Sequence, residues 1–147
     1  MLIIREMMQD DVDAVCKLEQ EAFSMPWHKQ SFIEMIENKD ALYLVAVNTD
    51  TNQVVGCCGL RNIAREGDIS NVVVDKDFRK QGIASNLLKN IIELGQERFH
   101  IKEFTLEVRV SNHLAIQLYQ KYGFKSEGIR KNFYEKPIED AMIMWKR

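Results

Sequence analysis

The sequence predicts an α/β fold in which one mixed sheet carries helices on both of its faces. Runs rich in β-branched residues alternate along the chain with apolar stripes at helical spacing. The run NVVVD and the run FTLEVRV are joined through one long helix, and two strands joined in this way lie parallel. The other strands follow one another closely enough to pair antiparallel. We therefore expect seven strands, mostly antiparallel, around a central parallel pair.

The first half of the chain is predicted to form a strand, two helices and an antiparallel meander. LIIR opens as a strand, and apolar residues at helical spacing predict a helix from about Asp11 to Phe23. Pro26 lacks an N–H and disfavours helix at Met25, so the second helix is expected to begin near His28. Three strands rich in β-branched residues follow: ALYLVAV, VVGCCGL and DISNVVV.

The second half is predicted to alternate helix and strand and to end in a hairpin. After Gly82, an apolar stripe that includes Leu87, Leu88 and Ile91 predicts a long helix. FTLEVRV reads as a strand and SNHLAIQLYQKY as a helix. The rest of the chain, from about Phe124 to Trp145, reads as two strands with KPIED at the turn.

Length and charge limit the classes of function. The 147 residues, 46% of them hydrophobic, predict a single domain over residues 1–147. A formal net charge of −2 provides no field for holding a nucleic-acid backbone. No stretch approaches the roughly 20 apolar residues of a membrane span, so we expect a cytoplasmic protein that binds neither nucleic acid nor membrane. His28, His100 and His113 are scattered, and no metal site is expected.

The segment FRKQGIASNLL, which precedes and opens the long helix, predicts an anion site. Gly82 can adopt a positive φ at little cost and lets a ligand approach the backbone. The free N–H groups of the first helical turn point back toward Arg79, Lys80 and Gln81. Such an arrangement suits a phosphate. An ordinary strand-to-helix turn with solvated cations is the alternative.

The stretch NVVVDKDFRKQGIASNLL resembles the acyl-CoA-binding motif of the GNAT family of N-acetyltransferases. That motif reads Arg or Gln, two residues, Gly, one residue, then Gly or Ala, and here its positions are Arg79, Gly82 and Ala84. The resemblance extends over essentially the whole chain. It implies the GNAT fold, with a mostly antiparallel seven-stranded sheet and a central parallel pair, and it implies acetyl-CoA as cosubstrate.

The resemblance also implies which backbone groups hold acetyl-CoA. The pyrophosphate would lie on the N–H groups of the loop and first helical turn, and the pantetheine arm would pair with the preceding strand. The loop positions are Lys80, Gln81, Gly82, Ile83, Ala84 and Ser85, and the strand positions are Val72, Val73 and Val74. Simple core packing also accounts for the three valines, and both interpretations can hold together.

Three further segments are similar to GNAT members that acetylate the N-terminal α-amine of proteins, ribosomal proteins among them. The segments are AFSMPWHKQSF, FTLEVRVSNHLAIQLYQKYGF and EGIRKNFYEKPIEDAMIMW. The resemblance implies that Glu107 is the general base, Tyr119 the general acid and Asn112 a contact of acetyl-CoA. From the residues alone, Glu107 could belong to a solvated strand face, Tyr119 to the core and Asn112 to a helix N-cap.

Two aromatic stretches are expected to flank the incoming peptide. Met25, Pro26 and Trp27 form a corner between the first two helices, and Phe133 and Tyr134 lie toward the final hairpin turn. Aromatic walls with a few backbone hydrogen bonds suit an extended peptide. Packing of all five side chains into the core is the alternative.

Two other functions remain open at this point. A lysine or small-molecule amine acetyltransferase would share the cofactor motif and differ in the acceptor groove. A non-catalytic acyl-CoA sensor would bind the cofactor without turnover, although retention of both Glu107 and Tyr119 argues against it. The expected partners are acetyl-CoA and a protein N-terminus, and the chain is expected to be a monomer or a weak homodimer.

Overall fold

The computed structural model describes all 147 residues, which form one seven-stranded sheet and four α-helices. The strands are β1 (Leu2–Glu6), β2 (Ala41–Asn48), β3 (Gln53–Ile63), β4 (Glu66–Val74), β5 (Glu103–Arg109), β6 (Lys125–Tyr134) and β7 (Glu139–Lys146). The helices are α1 (Val12–Ala22), α2 (Lys29–Glu37), α3 (Ile83–Phe99) and α4 (His113–Lys121). Short 3-10 turns at Gln9–Asp11 and Lys76–Phe78 complete the set.

The strand order is β1-β2-β3-β4-β5-β7-β6. Only β4 and β5 run parallel, and every other neighbouring pair is antiparallel. The connection from β4 to β5 passes through α3, the long helix that the sequence predicted between the two runs. The predicted order of elements and the mixed sheet are confirmed.

Each face of the sheet carries its own hydrophobic core. On one face α1 and α2 bury residues such as Val15 and Phe32, and on the other face α3 and α4 bury residues such as Leu88. The adjacent residues Cys57 and Cys58 of β3 are both fully buried, one in each core, because successive strand side chains point to opposite faces. Burial of a large apolar side chain such as Phe32 or Leu88 contributes about 1.5–3 kcal/mol to stability.

The two parallel strands separate before they end. Pairing of β4 with β5 is confined to the three rungs from Glu66–Glu103 to Asp68–Thr105. Further along, β4 pairs only with β3 and β5 pairs only with β7. The edges of β4 and β5 that face each other are therefore unpaired beyond Asp68 and Thr105, and they bound an opening that we call the wedge.

A β-bulge in β4 lies at the start of the wedge. Cys57 pairs with Val73 and Gly59 pairs with Ser70, so the single residue Cys58 stands opposite two residues of β4, Asn71 and Val72. Asn71 has a φ of 58°, in the left-handed region. Bulges bend a strand and increase its twist, and this one directs the last residues of β4 away from β5.

None of the helices is both long enough and apolar enough to cross a membrane.

Candidate active site

The loop before α3 has the geometry of an anion site. Gly82 caps the helix with a φ of 76°, and Lys80 also has a positive φ, of 64°. The first helical hydrogen bond runs from the N–H of Asn86 to the carbonyl of Gly82, at 3.0 Å. The N–H groups of the preceding residues, from Ile83 to Ser85, have no acceptor within the chain. Successive free N–H groups at a helix N-terminus bind phosphate, so these residues fit the pyrophosphate of an acyl-CoA.

The space above Gly82 is open. A Cβ atom built at Gly82 meets no heavy atom within 4 Å. Arg79 and Lys80 are exposed beside this space, with Gln81 between them and the glycine, and Arg79 donates through Nε to the carbonyl of Val74 at 3.5 Å. Ser85 shares a short hydrogen bond with the hydroxyl of Tyr122. The loop is thus tied to the end of β4 and to α4, while its approach to solvent stays clear.

The three valines predicted to pair with the cofactor differ in the direction of their backbone groups. Asp75 donates its N–H to the carbonyl of Val55 on β3, at 2.8 Å. Because backbone groups alternate between the two edges of a strand, Val73 directs its N–H and C=O toward β3, while Val72 and Val74 direct theirs into the wedge. The side chain of Val73 is buried in the core beneath α1 and α2. Val72 and Val74 are the two positions able to hydrogen-bond an extended ligand.

Glu107 lies on β5 with its side chain on the α1 and α2 side of the sheet. Its neighbours Leu106 and Val108 are buried on the opposite side, as strand alternation predicted. The Oε2 atom of Glu107 is buried and accepts no hydrogen bond, and its nearest cation is Arg130, whose Nε lies 3.8 Å away. Burial raises the pKa of Glu107, with the positive charge of Arg130 opposing the rise and the negative charge of Asp68 adding to it.

Tyr119 lies on α4, on the opposite face of the sheet from Glu107. Its ring is buried and packs edge-on against Phe124, with ring centroids 6.0 Å apart. Its hydroxyl makes no hydrogen bond to another group of the chain. Burial raises the pKa of Tyr119, and the neighbouring Cys58 and Tyr134 add to the rise. The phenol is therefore fully protonated at neutral pH and can donate a proton.

Tyr134 connects the two candidate catalytic residues. Burial raises its pKa to about 12, and the negative charge of Glu107 adds to the rise while Arg109 opposes it. Tyr134 in turn adds to the rise in the pKa of Tyr119, for which burial is the larger cause. The guanidinium of Arg109 lies over the Tyr134 ring, 4.4 Å from its centroid. The structure thus places Glu107 and Tyr119 on opposite faces of the sheet.

Asn112 caps α4. Its side-chain oxygen accepts a hydrogen bond from the N–H of Ala115 at 3.3 Å, which satisfies one of the free donors of the helix. The residue is exposed. The N-cap interpretation of Asn112 is confirmed, and contact with acetyl-CoA stays a prediction.

The two aromatic stretches, which we call the two walls, differ in burial: Trp27 packs against the core beneath α1 and α2, whereas the other four residues lie at or near the surface. Their contact with a peptide stays a prediction. Met25 and Phe133 are 56% and 46% exposed, and Pro26 and Tyr134 are half-buried. Trp27 is half-buried, and its ring packs 5.4 Å from that of Phe32 and beneath the guanidinium of Arg61. A cavity of about 620 Å³ borders this side and is lined by the loop between α1 and α2, by α1 and by Lys136 of the hairpin turn.

Ser24 and Arg109 join the two walls, a role that the sequence did not reveal. Ser24 donates through Oγ to the carbonyl of Glu135 at 3.2 Å, and Arg109 donates to that carbonyl at 3.1 Å and to Ser24 Oγ at 3.4 Å. Glu139 holds Arg109 in place through a 3.2 Å ion pair. Strand alternation places Arg109 on the face of Glu107, and that was the one available sign of its role.

The comparisons with known proteins agree with this geometry. Residues 12–124 match the Acetyltransferase (GNAT) family, and the chain belongs to that family. A crystal structure of the ribosomal-protein-S18-alanine N-acetyltransferase from Escherichia coli superposes with a TM-score of 0.88 at 29% identity, covering 99% of this chain and 92% of that one. The predicted GNAT fold is confirmed, and acetyltransferases of this family use acetyl-CoA as the acetyl donor.

Two relatives in sequence carry a related name. A Bacillus subtilis protein, named provisionally as a ribosomal protein bS18-alanine N-acetyltransferase, is 39% identical over 97% of this chain and 93% of its own length. The ribosomal protein bS18-alanine N-acetyltransferase of Escherichia coli K12 is 32% identical over 91% of this chain and 89% of its own. Both similarities extend over nearly the full length of the chain.

Proposed function

We propose that residues 1–147 act as one cytoplasmic domain that transfers an acetyl group from acetyl-CoA to the N-terminal α-amine of a protein. The proposed acceptor is the N-terminal alanine of ribosomal protein bS18, the substrate in the names of the relatives. The observation that carries the proposal is the wedge with Glu107 on one side of the sheet and Tyr119 on the other. A cavity of about 620 Å³ beside Met25, Pro26 and Trp27 supports an extended peptide as the acceptor.

The chain supplies donors for both ends of the cofactor. The free N–H groups from Lys80 to Ser85 bind the pyrophosphate, with the dipole of α3 adding to the attraction. The backbone groups of Val72 and Val74 pair with the pantetheine arm in place of a neighbouring strand. Asn112 contacts the cofactor from the N-terminus of α4. Acetyl-CoA supplies the acetyl group as a thioester, which an amine can attack directly.

Glu107 accepts the proton that the attacking amine loses, directly or through a water molecule. A free α-amine has a pKa of about 7.7–8.0, so on the order of a tenth or more of it is already neutral near pH 7. A lysine side chain, with a pKa of about 10.4, is neutral far less often. A carboxylate of raised pKa is therefore sufficient for an α-amine.

The wedge stabilises the negative charge that develops as the new bond forms. When the amine nitrogen bonds to the thioester carbon, an N–H from the Val72–Val74 segment donates to the carbonyl oxygen. Tyr119 protonates the sulfur as the carbon–sulfur bond breaks, so that CoA leaves as a thiol. Neither Cys57 nor Cys58 acts as a nucleophile, since both are fully buried and burial raises the pKa of both thiols. Positioning of the two substrates contributes roughly 7–11 kcal/mol.

A peptide panel tests this proposal. Peptides that begin with Ala, Ser or Met, and one that begins with acetylated Ala, are each incubated with acetyl-CoA, and the mass of the product is measured. We expect a gain of one acetyl group on the Ala-initiated peptide and none on the blocked peptide. Acetylation of the blocked peptide at an internal lysine would favour the lysine acetyltransferase alternative. Binding of CoA without any transfer would favour the sensor.

A further inference from the structure

A buried carboxylate outside the reacting groups holds the start of the wedge. Glu19 of α1 is fully buried, which is costly for an ionisable group unless it is hydrogen-bonded. Three strands provide its partners. Tyr43 of β2 donates a short hydrogen bond to it, Asn71 of β4 donates through Nδ2 at 2.6 Å, and the Cys57 thiol of β3 lies 3.9 Å away.

The partner on β4 is the residue that forms the bulge. Asn71 has a φ of 58°, a conformation that L-residues other than Gly adopt infrequently and that Asn tolerates better than most. Its side chain is held by Glu19, and its carbonyl accepts from the Cys57 thiol at 3.6 Å. The next residue along the chain is Val72, the first of the two whose backbone groups point into the wedge. The direction of those groups therefore depends on how Asn71 is held.

Stability alone does not account for a glutamate at this position. Burial raises the pKa of Glu19 to about 7 despite its hydrogen bonds, so the surroundings oppose its ionised form. Replacing Glu19 together with its hydrogen-bonding partners by apolar side chains of the same shape could be nearly neutral for stability. A buried ionisable group whose surroundings oppose its charge is typical of a functional site.

We propose that Glu19 is a positioning residue for acetyl transfer, because its carboxylate fixes Asn71 in the bulge and thereby orients the backbone N–H groups of Val72 and Val74. The proposal rests on the acetyltransferase function described above. It extends the site to α1, the helix whose C-terminal end leads into the Met25–Trp27 wall. Glu19 itself touches neither acetyl-CoA nor the acceptor.

The sharpest test removes the hydrogen bond between Asn71 and Glu19 by substituting Asn71, the less buried of the two residues. Asn71→Gly keeps a residue that adopts positive φ freely and leaves Glu19 its bonds to Tyr43 and Cys57. We expect this variant to fold, to lose about 10- to 100-fold in kcat and to keep its KM for the Ala-initiated peptide, because the displaced groups act on the transition state. We also expect its Kd for CoA, measured by calorimetry, to rise several-fold.

Two variants of Glu19 distinguish the role of its hydrogen-bond acceptor from the role of its negative charge. Glu19→Gln keeps an oxygen that can accept from Asn71, with its amide donating to the Tyr43 hydroxyl, and should stay within about threefold of the wild-type kcat. Glu19→Leu fills the space without an acceptor and should reproduce the loss in Asn71→Gly. The control is Asp11→Asn, which alters another buried carboxylate, bonded to Arg5 and the N–H of Met8, far along the chain from β4. This variant should lower stability and leave kcat unchanged.

The outcomes distinguish failure of the Glu19 positioning role from failure of the proposed acetyltransferase function. Wild-type kcat and CoA affinity in a folded Asn71→Gly variant would overturn the positioning role. If the wild type acetylated no peptide, the proposed function would fail, and the CoA affinities of wild type and Asn71→Gly would then decide the role of Glu19. Loss of affinity in Asn71→Gly would still support it, and equal affinities would reject it.

Discussion

Glu107 lies in surroundings that suit a general base for an amine. One of its carboxylate oxygens is buried without a hydrogen bond, and its nearest cation, Arg130, is 3.8 Å away. Burial raises the pKa of the carboxyl group, so it holds a proton more readily than an exposed glutamate does. Such a group can take a proton from an ammonium or from water and release it to solvent afterwards.

The first prediction concerns Glu107→Gln. This variant should lower kcat/KM for an Ala-initiated peptide by about 10²–10⁴ at pH 7, because the proton acceptor is lost while the shape is kept. The loss should shrink as the pH rises past the pKa of the α-amine, since the nucleophile is then neutral without help. The matched control is Glu103→Gln on the same strand, where the carboxylate pairs with Arg147 at 2.6 Å. A pH-independent loss would contradict the base role.

A second prediction concerns the hydroxyl of Tyr119. Tyr119→Phe keeps the buried ring and its edge-on contact with Phe124, and it removes the group that would protonate the thiolate. We expect kcat to fall by about 10²–10⁴ while the urea midpoint of unfolding stays close to that of the wild type. A variant that turns over at the wild-type rate would return Tyr119 to a packing role.

At the scale of elements, the turn from β4 into α3 defines the cofactor site. Residue types made this turn predictable, since a glycine before an amphipathic helix specifies both a positive φ and a set of free N–H groups. The alternating burial of β5 was predictable from its period of two. The bulge at Asn71 was not, because it follows from the pairing of β4 with β3 and from a hydrogen bond to Glu19, 52 residues away in sequence.

The third prediction concerns Gly82. Gly82→Val should raise the Kd for acetyl-CoA, because the side chain would occupy the open space above the free N–H groups and strain a φ of 76°. Gly82→Asn separates steric blocking from backbone strain, since Asn tolerates a positive φ better than Val does and still places a side chain over the loop. Calorimetry with CoA measures both. Unchanged affinity in both folded variants would remove the loop from the cofactor site.

At the scale of the whole molecule, long-range contacts assemble the acceptor side from distant parts of the chain. Ser24 follows α1 and bonds to Glu135 in the last hairpin, 111 residues later. The sequence predicted both walls as separate stretches, because each has a local signature of proline or aromatic residues. It did not predict their connection through Arg109, since nothing local to either stretch specifies the other.

The fourth prediction concerns stability and pH. The pKa of Glu19 is about 7 in the folded protein, raised by burial from an ordinary value of 4.5. Between these values the folded protein binds more protons than the unfolded chain, so stability falls as the pH rises through this window, by about 3 kcal/mol in total. Urea denaturation at pH 5 and pH 8 measures most of this difference.

Glu19→Gln should abolish most of that pH dependence, because the substituted amide does not titrate. The control is Asp11→Asn. A hydrogen bond from Arg5 lowers the pKa of Asp11, so its contribution is lost only as the pH falls below its ordinary value of 3.8. That variant should lower stability about equally at pH 5 and pH 8. An unchanged slope in Glu19→Gln would assign the pH dependence to another group.

The position of the acetyl group on a single peptide distinguishes an N-terminal acetyltransferase from a lysine acetyltransferase. A peptide with a free N-terminal Ala and one internal Lys is incubated with acetyl-CoA at pH 7.5, and tandem mass spectrometry locates the acetyl group. Because the α-amine is far more often neutral than the lysine at this pH, we expect modification of the N-terminal amine. Preferential modification of the lysine would contradict the N-terminal assignment.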